Sequence, residues 1–459
     1  MHSGPTILDA DDQRVVTDAG RVRERLPRPM TQLLFSGTLA VLMFGPLALG
    51  AVDLWAIFIL EAGAAVLLLL WTIAAAISPL GLRIRLSPLL APMLLYFGVG
   101  VLQLVLGRSA YAYNGVMELQ LALAYAALAF LLLQSLQRNS DFARLGWILA
   151  GFGFAVAVFG IWQAFTGNGK IYWIIQRRDA VLFGPYANHS HYAALMELLM
   201  PFALVIAAGR SEHGGKKILL GFAAALMAGS VVLAHSTGGL IAIAGETLVF
   251  FVLVRRSHKG AALNLRTAAA LLAIGLGVVL FLVWADRGSS LEHLTALHDP
   301  MHSTTTTSRF AIAKDSLRMF VGRPILGWGL GSFPLVYPQY QSYYSVFLIN
   351  HAHNDYLEAL TEAGIFGFGA MIWFVVVLYR SAAKKLADWS HDPRASMRLA
   401  ALVGCTGMLI HGLYDFNLHI PGNAALFFAL SWIATGGKKS GQGRSRNYPA
   451  HEESADEVA

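Results

Sequence analysis

Charged residues are scarce in this 459-residue chain. Asp, Glu, Lys and Arg make up 13% of it, whereas they make up about a quarter of a typical soluble globular domain. Apolar residues account for 56%, and the mean hydropathy is +0.56. This composition excludes an ordinary water-soluble domain, so we expect an integral membrane protein.

Cysteine is almost absent as well. Cys405 is the only one, and it lies within an apolar run, so no intramolecular disulfide is possible. A cleavable signal peptide is not evident either, because the first thirty residues are polar and carry five arginines before any apolar run. We expect the first membrane span to act as an uncleaved anchor.

Long apolar runs, by contrast, recur along the whole chain. A helix needs about 20 apolar residues to cross a bilayer. We predict twelve such spans, near 31–50, 54–78, 88–107, 117–136, 146–166, 191–209, 217–235, 239–254, 267–285, 365–380, 398–414 and 420–436. The region 217–254 could instead form one re-entrant unit, because Ser236-Thr237-Gly238-Gly239 interrupts its pattern. The predicted fold is an all-α polytopic membrane protein.

Basic residues predict the orientation of these spans. With the N-terminus in the cytoplasm, the predicted cytoplasmic segments hold 25 of the 34 lysines and arginines. Positive residues concentrate on the cytoplasmic side of membrane proteins, so we expect both termini there. The same bias explains the net charge of +7, and no nucleic-acid partner is needed to account for it.

This orientation divides the chain into five predicted regions. They are a cytoplasmic N-terminal segment (1–30), nine membrane helices (31–285), a large periplasmic loop forming a small subdomain (286–352), a loop-end motif with three further membrane helices (353–436), and a polar cytoplasmic tail expected to be disordered (437–459). The large loop contains a helical pattern at 309–320. Its expected packing face consists of Phe310, Ala313, Leu317 and Phe320.

The densest group of polar residues runs from Asn350 to Glu362. If this segment is one helix from about His351, Asp355 follows His351 at i+4 and His353 lies on another face. Histidine is the usual general base near neutral pH, whereas polar residues at a helix entrance can also serve only as caps and interfacial anchors. We favour catalysis, because the group follows the longest extramembrane segment.

Two further sets of residues are candidates for function. A shorter outer loop, about 167–190, carries Arg177 and Arg178, and outward-facing arginines indicate an anionic partner because they oppose the positive-inside bias. Ionisable residues at membrane depth are also functional candidates. Those in predicted spans are Glu61, Glu118, Glu197 and Glu246.

The segment around His353 resembles the outer-loop signature of the O-antigen ligase family, within the O-antigen ligase and polymerase superfamily. The shared pattern comprises Ser308-Arg309, Arg323-Pro324-Ile325-Leu326-Gly327-Trp328-Gly329, His353-Asn354, Gly364 and Gly367. The segment from Gly184 to Asn188 resembles another superfamily element, and the similarity covers roughly residues 184–370. One feature departs from the family: Thr237 follows Ser236 at the junction of two spans, where many relatives have an arginine.

The resemblance implies a metal-independent glycosyltransferase of the GT-C type, without a cofactor, in the bacterial inner membrane. Such enzymes take a glycan from undecaprenyl diphosphate at the periplasmic face and join it to an acceptor hydroxyl. By position, His353 would engage the acceptor hydroxyl and Arg309 would bind the diphosphate, which suits the chemistry of both side chains. Weaker candidates for substrate binding are His351, Asn354, Asp355, Arg318, Arg177, Arg178 and Asn188.

Helix geometry and family likeness select different histidines as the base. A continuous helix would orient His351 through Asp355, whereas the family pattern selects His353. We choose His353, because we expect the helix to begin only near Asn354. A histidine at a helix entrance is kept neutral by the partial positive charge there, and the same charge attracts an anionic donor.

Several alternatives remain open at this point. The acceptor is lipid A-core for a ligase, a growing polysaccharide for a polymerase, or a protein for an O-oligosaccharyltransferase. A transporter or flippase for an anionic lipid or sugar would use the intramembrane acids and would need no large outer loop. A metal site is a third possibility, but its spacing matches no standard ligand set. Its ligands would come from His293, His298, His302, His351 and His353.

Overall fold

The computed structural model describes residues 14–16, 22–24, 26–78, 84–177, 181–210, 212–256, 273, 275–282, 284, 304–345 and 348–436. Regular structure in these segments is helical, apart from one short hairpin. In that hairpin β1 (Arg14–Val16) pairs antiparallel with β2 (Val22–Glu24). The expected all-α fold is therefore confirmed for the membrane region.

The helices of the described segments fall into two sets. The first comprises α1 (Arg28–Leu47), α2 (Leu54–Ala76), α3 (Leu90–Val105), α4 (Ala112–Ser135), α5 (Asn139–Thr166), α6 (His189–Ala208), α7 (Gly215–Leu233) and α8 (Thr237–Arg256). The second comprises α9 (Thr304–Gly322), α10 (Phe333–Val336), α11 (Asp355–Ala383), α12 (Pro393–His411) and α13 (Pro421–Thr435). Short 3-10 turns occupy Leu49–Ala51, Tyr337–Gln339 and Asn417–His419.

Eight of these helices, α1, α2, α4 to α8 and α11, are long and apolar enough to cross a bilayer. The protein is therefore a polytopic helical membrane protein. Three further predicted spans coincide with helices that are too short or too polar to meet this standard. Helices α3 and α13 have 16 and 15 residues, and α12 carries Arg394 and Arg398 in its first two turns. The predicted span at 267–285 is described only in part, at residues 273, 275–282 and 284, and these residues are helical. The total of twelve stays a prediction.

Helix α6 lies at the centre of the bundle. Nearly all of its residues are buried, and it packs against α5, α7, α8 and α12. Helices α12 and α13 are also buried along almost their whole length and pack against each other. Surrounding protein can satisfy polar groups that lipid cannot, so α12 can hold Arg398, which donates to the carbonyl oxygen of Gly436 at 3.0 Å.

Helix α11 is broken at Gly364, and the segment that follows α9 packs against it there. Gly364 has a φ of +62°, a conformation that favours glycine. The N–H of Ile365 donates to the carbonyl oxygen of Pro324 at 2.9 Å, and the N–H of Gly329 donates to that of Glu362 at 3.0 Å. A Cβ on Gly364 would clash with the carbonyl oxygen of Ile325. The glycines of the motif therefore allow close backbone contact.

Helix α9 confirms the helical pattern predicted in the large loop, but the predicted packing face is wrong. Two members of that face, Phe310 and Leu317, are 76% and 48% exposed, whereas Asp315 and Met319 are fully buried. The reason is polar: Asp315 accepts hydrogen bonds from the backbone N–H and the hydroxyl of Ser342, both at 2.9 Å. The buried face of α9 is therefore the one that carries Asp315, together with Ile312 and Met319.

Candidate active site

Two asparagines from the predicted substrate-binding set cap the helices that carry the site. Asn188 caps α6, and its side chain accepts a hydrogen bond from the N–H of Ser190 at 2.8 Å. Asn354 caps α11 through its Oδ1, and its Nδ2 donates to the carbonyl oxygen of Leu413 at 2.9 Å. Such caps satisfy N–H groups at a helix start, so both asparagines position the backbone of the site.

His353 lies just before α11, at the helix entrance that the sequence predicts. Its φ is +50°, which places it outside the helix, and the helix begins at Asp355. The N–H of Asp355 donates to the carbonyl oxygen of Gly412 at 2.8 Å. This bond fixes the His353 segment against the connection between α12 and α13.

Asp415, on that connection, is the carboxylate that faces His353. Its Oδ1 lies 3.4 Å from Nδ1 of His353 and 4.0 Å from Nε2 of His191. The two groups are close, although their geometry in this structure falls outside that of a hydrogen bond. Asp415 is buried, whereas the His353 side chain is 31% exposed and can meet a substrate.

The surroundings of Asp415 keep it ionised. Burial alone would raise its pKa, but the contact with His353 and the charges of His191 and His411 lower the pKa well below its usual value. A buried carboxylate that faces Nδ1 of a histidine favours the tautomer with its proton on Nδ1, which leaves Nε2 free to accept a proton. Sequence analysis missed Asp415, because it lies on a connection far along the chain and no local motif marks it.

Phe416 holds three imidazole rings around one side chain. Its ring centroid lies 4.1 Å from that of His351, 4.9 Å from that of His191 and 5.1 Å from that of His353. The His351 ring is stacked on Phe416, and the other two meet it edge-on. The α12–α13 connection thus sets the ring positions through packing as well as charge.

Glu358, rather than Asp355, is the carboxylate that orients His351. Nδ1 of His351 lies 2.7 Å from Oε1 of Glu358, and the predicted pairing of His351 with Asp355 is wrong. The reason is that residues 351–354 are not helical, so i+4 spacing does not apply to them. Asp355 faces His419 instead, at 3.1 Å from its Nδ1, and Nε2 of His419 lies 3.4 Å from Glu358.

Arg309 on α9 has an unpaired guanidinium nitrogen. Its Nε is buried and has no hydrogen-bond partner within the described segments. His189, at the start of α6, lies near enough to both Arg309 and Asp415 to interact with their charges. A buried guanidinium nitrogen without a partner is suited to an anionic ligand.

The other candidate arginines are already paired or not described. Arg177 forms an ion pair with Asp53. Arg318 forms one with Asp315, at 3.2 Å. Arg178 lies outside the described residues. Neither Arg177 nor Arg318 therefore offers a free second cation in this structure.

Two of the predicted intramembrane acids lie together inside the bundle. Glu197 is 2.7 Å from Nδ1 of His411, and both side chains are buried. Neither carboxylate oxygen of Glu246 has a hydrogen-bond partner in the described part of the chain. His411, the partner of Glu197, is the last residue of α12 and directly precedes the α12–α13 connection that carries Asp415.

A mainly apolar cavity of about 250 Å³ lies between α3, α4, α11 and α13. Glu118, Asp355, Glu362 and His419 line part of it. Glu362 is held by backbone N–H groups of Gly331 and Phe333, at 2.9 and 2.8 Å. Asp355, at the start of α11, thus borders both this cavity and the segment that carries His353.

Residues 222–372 match the model of a protein family described as O-antigen ligase. The chain contains an O-antigen ligase domain. This finding confirms the family predicted from the motif around His353. The O-antigen ligase domain includes Arg309, His353 and Gly364, while Asp415 and His191 lie outside the matched segment. Its family consists of glycosyltransferase-like enzymes that act on lipid-linked glycans. No curated protein matches the chain.

Proposed function

We propose that this protein transfers a glycan from undecaprenyl diphosphate to an acceptor hydroxyl at the periplasmic face of the bacterial inner membrane. The observation that carries the proposal is the His353–Asp415 pair. The unpaired Nε of Arg309 supports it, because His189 lies near enough to both Arg309 and Asp415 to interact with their charges. The pair provides a base, and the arginine provides a site for the anionic leaving group. We also propose that the fold is of the GT-C type.

His353 acts as the general base. Because its Nδ1 faces Asp415, its Nε2 takes the proton of the acceptor hydroxyl as the oxygen attacks the anomeric carbon of the donor glycan. The bond between that carbon and the diphosphate oxygen breaks, and undecaprenyl diphosphate leaves with the electron pair. Asp415 stabilises the imidazolium that forms.

Arg309 binds the diphosphate. Its unpaired Nε can donate to a phosphate oxygen together with a terminal guanidinium nitrogen, and such bidentate bonds strengthen as negative charge grows on the leaving group. The apolar cavity supports a substrate with a hydrocarbon chain. No metal ion is required at the reacting atoms in this scheme.

The acceptor is tested by deleting the gene and examining lipopolysaccharide, capsule and exopolysaccharide together. Lipopolysaccharide that lacks all O-antigen indicates ligation onto lipid A-core. Core capped by a single repeat unit indicates a polymerase, and loss of glycan from proteins indicates an O-oligosaccharyltransferase. Ligation is our expectation, because the matched family is described as O-antigen ligase.

A transporter or flippase for an anionic lipid is the second candidate. Glu197 and Glu246 favour it, because acids inside a bundle are common on transport pathways. It predicts normal surface glycans with altered lipid or sugar uptake in the deletion strain. The grouping of His353, Asp415 and Arg309 favours the transferase.

A further inference from the structure

We propose that His351, Glu358 and His419 form a binding site for a divalent transition-metal ion such as Zn²⁺. Each residue offers one ligand atom, and these atoms all lie within 4.8 Å of one another. Two imidazole nitrogens and one carboxylate oxygen are a common protein ligand set for zinc, with a further position left for water.

One carboxylate oxygen of Glu358 lies close to both imidazoles. Its Oε1 lies 2.7 Å from Nδ1 of His351 and 3.4 Å from Nε2 of His419. Its other oxygen accepts a hydrogen bond from the N–H of Ala352 at 2.8 Å. That bond fixes the carboxylate, so one oxygen stays directed at the two imidazoles.

A second carboxylate orients the His419 ring. Oδ1 of Asp355 lies 3.1 Å from Nδ1 of His419, and Oδ2 of Asp355 accepts the N–H of Leu418 at 3.3 Å. Histidine ligands of metals usually donate their other ring nitrogen to a carboxylate in this way. The pair fixes the tautomer in which Nε2 of His419 is free to coordinate.

The charge of the cluster favours a cation. Asp355 and Glu358 are buried, and within the described segments neither forms an ion pair with a lysine or arginine. A divalent ion would balance two carboxylates while both imidazoles stay neutral.

The ion would position the catalytic segment rather than touch the reacting atoms. It would tie residue 351 to the α12–α13 connection, on which Asp415 faces His353. Loss of the ion would loosen the geometry of that pair. His351 and His419 are therefore positioning residues in this account.

The test is Zn²⁺ binding by the full chain in detergent, purified with a tag that contains no histidine. We expect one Zn²⁺ per chain by elemental analysis, and competition with a chromogenic chelator gives the affinity. Glu358→Gln and His419→Ala should lose this stoichiometric Zn²⁺. Asp355→Asn should weaken binding about 10- to 100-fold, because it removes only the partner of a ligand. His391→Ala, which removes an exposed imidazole, should bind like the wild type.

A second measurement does not depend on how the variants fold. Saturating Zn²⁺ should raise the thermal midpoint of the wild-type protein, because a ligand that binds only the folded state stabilises it. Wild-type protein that takes up no stoichiometric Zn²⁺ and shows no rise would overturn the proposal. Full Zn²⁺ affinity in His419→Ala would do the same. Neither measurement uses a glycan substrate, so the outcome is independent of the transferase proposal.

Discussion

Replacing Asp415 by asparagine separates the charge of this side chain from its shape. Asp415 is buried, and its Oδ1 faces Nδ1 of His353 at 3.4 Å. An asparagine fits the same space but can turn its NH₂ group toward Nδ1. The proton of a neutral His353 would then sit on Nε2, where it blocks acceptance of the hydroxyl proton.

The expected loss follows from the value of a general base. Proton transfer by a positioned side chain contributes about 10²- to 10⁴-fold, so we expect kcat of Asp415→Asn to fall about 10²- to 10³-fold, or about 3–4 kcal/mol. Donor affinity should change by less than about twofold, because Arg309 is untouched. The assay is release of undecaprenyl diphosphate by purified protein, with donor binding measured separately.

Asp388→Asn is the matched control, because it removes an exposed carboxylate that lies 3.9 Å from His391. It should keep wild-type kcat. Normal turnover by Asp415→Asn would show that the carboxylate does not set the tautomer of His353. Asp415 would then have no role in the proposed mechanism.

The same variant predicts a pH dependence of stability. The pKa of Asp415 is lowered in the folded protein, so its stabilising effect is complete above the ordinary aspartate pKa of about 3.9 and is lost as the pH falls. The thermal midpoint of the wild type should exceed that of Asp415→Asn most at neutral pH. The difference should shrink below about pH 4. A difference that grows on acidification would contradict the assigned ionisation.

Three further predictions concern the arginine, the orientation and the glycine turn. Arg309→Lys should lose most transfer activity, since lysine cannot make the bidentate bond, whereas Arg318→Ala should be milder; a fully active Arg309→Lys would reduce Arg309 to a surface charge. A cysteine that replaces Ser342 should react with an impermeant thiol reagent from the periplasm, and one that replaces Ser257 should not. Background labelling should be low, because the native Cys405 is buried. Labelling at position 257 would contradict the predicted orientation. Gly364→Ala should destabilise the protein by about 1–3 kcal/mol in unfolding experiments, because the φ of residue 364 is +62° and the new Cβ would clash with the carbonyl oxygen of Ile325. An unchanged unfolding midpoint would contradict the close packing of this turn.

Local patterns predicted much of this structure. Apolar runs marked the membrane helices because lipid demands continuous apolar stretches with satisfied backbones. The start of α11 followed from the cap at Asn354, a local hydrogen-bonding feature. The family pattern likewise marked Gly327, Gly329 and Gly364, which the structure brings together at the break in α11.

The partners of His353 and Asp355 could not be predicted, because they come from distant segments. Asp415 and His419 lie on the α12–α13 connection, and His191 lies on α6. Nothing in residues 350–362 shows which carboxylate each imidazole will meet. The packing face of α9 failed for a related reason, since the hydrogen bonds to Asp315 outweighed apolar periodicity.

The central claim is that His353 carries the proton transfer, and single-turnover transfer by two purified histidine variants tests it most directly. After membrane levels and donor binding have been checked, His353→Ala should bind the lipid-linked donor but lose transfer by at least about 10²-fold. His351→Ala should lose activity only in part, because His351 acts on the position of the segment through Glu358. Near-normal turnover by His353→Ala would contradict the account, and an inactive His351→Ala beside it would move the base to the His351–Glu358 pair.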